Sequence, residues 1–194
     1  MTHIQQFLDL SSKVSLAIDA SVVEHIAEGI LKVREQNGRL FFFGAGGSAA
    51  NCSHAVNDFR KLCGIDAICP TDNVAELTAR VNDDGWDTVF ESFLKTSGAG
   101  ERDAVFVMSV GGGDVARHIS VSIIRGIEEA KRRGMKVFGI VGRADSFTKQ
   151  AGDAVVVIPV PAPALLTPMS EAFQAIVWHA IVSDPRLCVR PTTW

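Results

Sequence analysis

Four side chains in this sequence have the types and spacing to form one chemical centre. His54 and Asp58 stand four residues apart, and Glu171 and His179 eight apart. On a helix, a spacing of four puts two side chains on one face, one turn apart. A spacing of eight leaves them within about 80° of each other around the axis but more than about 10 Å apart along it. Glu171 and His179 therefore converge only where their helix crosses the site with both side chains reaching inward. Two imidazoles with two carboxylates suit zinc or another divalent cation, and the same groups can move protons. Taken alone, His54 and Asp58 are better explained as the polar face of a helix.

The first pair belongs to the stretch around which the chain is organised. Leu40-Phe41-Phe42-Phe43 is an apolar run, Gly44-Ala45-Gly46-Gly47-Ser48 breaks it, and residues 49–58 can all be helical. This reads as a buried strand, a glycine turn and the start of a helix, where unpaired N–H groups and the positive end of the helix dipole make an anion cradle. The turn is not a nucleotide motif. Ala49 stands where the dinucleotide fingerprint has its third glycine, and the P-loop lysine is missing. A second turn of the same kind, Ser109-Val110-Gly111-Gly112-Gly113-Asp114, follows another apolar run. Asp114 is expected to cap the next helix, which would satisfy its free N–H groups and repel a phosphate dianion. Arg117 and His118, one turn on, are expected as ordinary helix surface; the alternatives are that they answer that charge or contact another substrate group.

The elements that must position these groups alternate along the chain. Residues 2–36 read as two helices, the second opened by a Ser21/Glu24 capping box and stopped by Asn37-Gly38. Strands are expected at 40–43, 67–69, 103–109, 136–141 and 154–158. Helices are expected at 73–80 and 86–95, separated by the polar turn Asn82-Asp83-Asp84-Gly85. A long helix is expected from Asp114 to about Arg133, and a last one from about Pro168 to near Val182. Pro159, Pro161 and Pro163 impose an extended crossing before it. The fold class is α/β, a three-layer doubly wound sandwich around a mostly parallel five-stranded sheet, preceded by N-terminal helices. In such sheets ligands bind beyond the carboxyl ends of the strands, where both glycine turns lie.

Composition narrows the function classes. The chain has 194 residues, 47% hydrophobic and 21% charged, with a net charge of −3 and a pI near 5.9. That balance gives no basic patch for nucleic acid, and the apolar runs are too short for a membrane span. The four cysteines form no C-x-x-C pair, and no secretory signal is expected, so reduced thiols in a cytoplasmic protein are expected.

The chain resembles the sugar isomerase (SIS) domain family, and within it the phosphoheptose isomerases. The resemblance is carried by residues 43–50 with His54, by Leu77-Thr-Ala-Arg-Val-Asn-Asp83, by residues 129–142, and by Thr167-Pro168 leading to His179. It implies one flavodoxin-like SIS domain over residues 1–194, with 1–36 as packing helices and 37–194 as the α/β core. It further implies an aldose–ketose isomerase acting on a sugar phosphate, in the supply of lipopolysaccharide precursors, and usually a homotetramer with sites at subunit interfaces. By that resemblance His54, Asp58, Glu171 and His179 hold a divalent metal, zinc by expectation, with Asp58 the catalytic base and His179 the acid. Ala45, Gly46, Gly47 and Ser48 overlay a substrate loop, and Asn82 and Asp83 a substrate-contacting pair. Ser109, Val110, Gly111 and Asp114 fall in the phosphate loop, which in the family is rich in hydroxyls; only Ser109 is kept. Asp58 stands where the family has glutamate, Glu171 where it has glutamine. The family also includes non-catalytic modules, such as the DnaA initiator-associating protein, and an isomerase of a differently substituted sugar is a third alternative.

Overall fold

The five residues of the first strand show how the layers form. In a strand successive side chains point to opposite faces, and Arg39-Leu-Phe-Phe-Phe43 is buried on both. Leu40 and Phe42 face one apolar cluster, Phe41 and Phe43 another. A strand with two buried faces must lie between two layers of helices.

The structure, a computed structural model, describes residues 1–191. Its elements run α1 (His3–Ala17), α2 (Ala20–Glu35), β1 (Arg39–Phe43), α3 (Gly47–Cys63), β2 (Asp66–Ile68), α4 (Val74–Asp84) and α5 (Val89–Thr96). They continue as β3 (Ala104–Ser109), α6 (Val121–Arg132), β4 (Lys136–Val141), α7 (Phe147–Ala151), β5 (Ala154–Val157) and α8 (Leu166–Val182). Short 3-10 turns, Trp86–Thr88 and Pro163–Leu165, lead into α5 and α8. The sheet order is β2-β1-β3-β4-β5 and every pairing is parallel, so the sheet expected to be mostly parallel is wholly so. Helices α1, α2, α3 and α8 pack on the Phe42 face, and α4 to α7 on the Phe43 face. Strand order reverses between β1 and β3, which places the two glycine turns side by side at the carboxyl edge.

Several local expectations are corrected. The second helix is capped by Asp19, whose carboxylate accepts from Ser21 N at 3.0 Å. The reciprocal capping box stands instead at α1, between Thr2 and Gln5. Asn82, Asp83 and Asp84 are the last turn of α4, which Gly85 ends at φ +80°. The helix after the second glycine turn begins at Val121, not at Asp114. Asp114 and Ile119 bond across a tight reversal, with N–H···O distances of 3.0 and 3.1 Å. A chain folded back on itself there cannot also wind a helix. Helix α7 was not foreseen; it is too short to show a periodicity.

At the amino edge of the sheet an ion pair fastens β1 to the chain leading into β3. Arg39 donates to Asp103 from its backbone N at 2.8 Å and from its guanidinium at 2.8 Å, and Gly100 N adds a further bond at 3.0 Å. Burial pushes the Asp103 carboxyl up, but the Arg39 and Gly100 hydrogen bonds outweigh it and the net shift is downward. A lowered carboxyl contributes stability above its unfolded value near pH 4, and loses it as pH falls through the folded value. Asp103→Asn is therefore expected to lower unfolding free energy by roughly 2 kcal/mol at pH 7. In urea titrations between pH 7 and 3, the variant should lose less stability on acidification than the parent chain.

Candidate functional site

The site lies on a seam between α3 and α8, which run side by side in the same direction on one face of the sheet. Early residues meet early residues: Gly47 lies against Glu171, and Ser48 and Asn51 against Gln174. Later residues meet later ones, His54 and Asp58 against Trp178 and His179. The direction follows from topology, because both helices leave the carboxyl edge and run back along parallel strands.

His54, Asp58 and His179 come together, each offering a ligand atom within 4.8 Å of the others. Asp58 Oδ2 lies 3.8 Å from His54 Nε2 and 4.0 Å from His179 Nε2, while Asn57 Nδ2 donates to Oδ1 at 2.8 Å. His179 Nδ1 lies 2.7 Å from the Ala175 carbonyl. A carbonyl only accepts, so in the neutral imidazole Nδ1 carries the proton and the lone pair is on Nε2, on the side of the site. The imidazole rings are 5.4 Å apart and nearly perpendicular. Trp178 is fully buried behind them, stacked on His179 and edge-on to His54. The histidine side chains are 58% and 49% exposed and that of Asp58 16%, so the cluster opens to solvent on the imidazole side.

These donors fit a divalent cation. Two imidazole nitrogens and one carboxylate are a three-ligand set that leaves a position open for substrate or water. A zinc shell with donors about 2.1 Å from the ion holds them roughly 3.4 Å apart, so small side-chain rotations close the observed spacing. His179 is expected to serve as acid only where a cation leaves its free nitrogen available. With Nδ1 committed to Ala175, its one remaining nitrogen can ligate a cation or carry a proton, not both.

Glu171, the fourth expected ligand, is not in this cluster. Since α8 runs along α3 rather than across it, the eight residues between Glu171 and His179 separate them by roughly 12 Å of helix. The Glu171 carboxylate lies over the glycine turn, where a Cβ on Gly47 would come within 2.6 Å of it. A side chain at position 47 would push the carboxylate, the mobile end of Glu171, aside. Gly46, at φ +59°, heads α3 without any side-chain cap, so Glu171 brings negative charge to an otherwise uncapped helix start. Ala45, Gly46 and Gly47 are exposed, whereas Ser48 is buried.

The second turn is closed on itself. Ser109 Oγ accepts from Gly112 N at 2.9 Å. The Gly112 and Gly113 carbonyls accept from Thr148 and Phe147 at the start of α7, and Val110 O accepts from Gly142 N. Asp114 caps Arg117 N at 3.0 Å and pairs with the Arg117 guanidinium at 3.6 Å. Asp114 thus caps a turn rather than a helix, and Arg117, whose simplest reading in the sequence is ordinary helix surface, answers its charge. Gly111 is half-buried and His118 exposed. Asn82 and Asp83 are exposed at the end of α4, in the helix layer on the other side of the sheet from the seam. Within this chain they do not join the cluster. Sequence reasoning passed over Asn51, Gln174 and Trp178. The one signal for them was position: each shares a helix face, or a neighbouring place, with a residue already singled out.

Comparison with known proteins agrees with this geometry. The SIS domain pattern matches residues 3–142. A probable phosphoheptose isomerase of Thermoplasma volcanium is 30% identical over 163 residues, covering 81% of this chain and 80% of that protein. A phosphoheptose isomerase of Roseiflexus is 28% identical over 162 residues, covering 81% and 78%. The solved phosphoheptose isomerase of Neisseria gonorrhoeae superposes with a TM-score of 0.76 at 25% identity, over 93% of this chain and 92% of that one. With the match spanning most of its length and the same parallel sheet beneath it, this chain belongs to the SIS domain family.

Proposed function

We propose that this chain, as one SIS domain, is an aldose–ketose isomerase of a sugar phosphate, working as its phosphoheptose isomerase relatives are named to do. The observation that carries the reading is the His54–Asp58–His179 cluster, an oriented carboxylate between two imidazole nitrogens on a solvent-open face. Asp58 is the base: it takes a proton from the carbon next to the carbonyl while the carbonyl oxygen gains one from water, giving an enediol; the other enediol hydroxyl then loses its proton to water as the same carboxyl protonates the former carbonyl carbon. Asn57 holds Oδ1 and so fixes the carboxylate plane. His54 and His179, with Asp58, hold a divalent cation, zinc by donor type, which when bound polarises the sugar oxygens. The protein acts in the cytoplasm as a homotetramer. Ile4 and Leu8, one turn apart on α1 and each more than 60% exposed, support a covered face in the assembly. Among the described residues no helix is long and apolar enough to cross a membrane.

A second reading has its own support. The internally bonded 109–114 turn and the charge of Asp114 favour a sugar substituted otherwise than with phosphate, or a module that binds without turnover. Metal analysis with a thermal-shift panel of sugars and sugar phosphates separates the readings. About one metal equivalent per chain with stabilisation by a ketose phosphate supports the isomerase; metal-free protein indifferent to every sugar refutes it.

Two outcomes are expected of the isomerase. Asp58→Asn should lower kcat by about 10²- to 10⁴-fold with the circular-dichroism spectrum unchanged, and undiminished turnover would remove Asp58 from the base role. Asp114→Ser should lower KM for a phosphorylated ketose by about tenfold, by removing a like charge. The KM of the corresponding unphosphorylated sugar should stay the same, and steady-state kinetics with both sugars read the difference.

A further inference from the structure

Two helices carry the three clustered side chains, so the cluster exists only if α8 sits on α3 in one register. The inner face of α8 is mostly apolar: Met169, Phe173, Val177, Trp178, Ile181 and Val182 are buried. Apolar burial is non-directional, and sliding or turning one helix by a residue leaves much of it intact. Such a slip is about 1.5 Å along the axis and 100° around it, enough to turn His179 out of the seam.

Apart from a long Cys63 Sγ–Val182 O bond of 3.5 Å at the far end of the seam, one buried side chain supplies the direction. Gln174 is wholly buried, and both ends of its amide are used. Its Nε2 donates to Ser48 Oγ at 3.0 Å, and its Oε1 accepts from Asn51 Nδ2 at 3.0 Å. Asn51 Nδ2 also donates to the Glu171 carbonyl at 2.9 Å, tying α3 to the backbone of α8. The other polar atoms of that face, Ser170 Oγ and Trp178 Nε1, are buried without a hydrogen-bond partner. Only one register satisfies donor and acceptor of the Gln174 amide together. From Asn51 to His54, and from Gln174 to His179, is about one turn or a little more on each helix, a short and stiff path.

We infer that Gln174, through Ser48 and Asn51, is the positioning residue that fixes α8 on α3 and thereby sets the separation of His179 from His54 and Asp58. It touches neither substrate nor cation. The inference rests on the cation reading above for one of its two readouts. Gln174→Met keeps length and volume and removes both hydrogen bonds. Gln174→Glu keeps an acceptor for Asn51 and can accept the Ser48 hydroxyl proton, so it serves as the rescue.

The experiment titrates Co²⁺ into the full chain and its two variants by visible absorption, and solves the crystal structures of the parent and Gln174→Met. The expected result is a folded Gln174→Met chain that binds Co²⁺ at least tenfold more weakly, with the His54 and His179 rings further apart than in the parent. Gln174→Glu should bind within threefold of the parent. Parent-like Co²⁺ affinity in Gln174→Met, with only a lowered melting temperature, would overturn the inference and leave Gln174 a packing residue. If the parent binds no Co²⁺, the cation reading fails and the crystal structures alone decide. An unchanged ring separation in Gln174→Met would then overturn the positioning role, and a widened one would uphold it. Should Gln174→Met not fold, the comparison passes to Asn51→Ala, with the same readouts and criteria.

Discussion

The site depends on one packing arrangement, the side-by-side course of α3 and α8 over the same face of the sheet. A β-strand with two buried faces forces helices into two layers, and the parallel connections send both of these helices back from the carboxyl edge in the same direction. Residues at matching depth then meet. Gly47 faces Glu171, the Ser48–Asn51–Gln174 bonds lie below, and the two histidines with Asp58 lie lower still. A crossing geometry would have gathered Glu171 and His179 at one point. A parallel one spreads them over a little more than two turns, giving one acidic group to the glycine turn and one imidazole to the cluster.

This spacing separates tasks that the linear sequence runs together. The exposed glycine turn and the cluster are about 10 Å apart along α3. At the turn, Glu171 supplies the negative charge an uncapped helix start favours. In the cluster, hydrogen bonds from Asn57 and to Ala175 orient the carboxylate and settle which imidazole nitrogen is free. The neighbouring turn after β3 spends its hydroxyl and carbonyls on itself and on α7, and presents Asp114 paired with Arg117. The chemistry-bearing groups are therefore open and oriented, while the loop beside them is closed and charged.

Most of the fold was legible in the sequence because its signals are local. Runs such as Leu40–Phe43 and Val105–Met108 are apolar at every position, which only a doubly covered strand tolerates, and glycine turns mark their carboxyl ends. Helix ends were less legible where two residues competed to cap, as Asp19 and Ser21 do, because the choice depends on backbone angles that composition does not reveal. The reversal between Asp114 and Ile119 was hidden for a different reason. Its bonds are backbone to backbone, so no side-chain pattern announces them.

By itself the sequence determined the parallel α/β class, the position of both glycine turns, and the sharing of one helix face by His54 and Asp58, all consequences of periodicities of two and 3.6 residues. Residue type and spacing offered His179 and Glu171 as partners for that pair, and the resemblance added to the case. Tertiary structure alone decided between them, because the distance from one helix to another depends on crossing angle and register rather than on spacing along either chain. The same cause placed Asn82 and Asp83 behind the sheet and made Gln174, an unremarked amide in an apolar helix, the buried polar link between the two helices that carry the cluster.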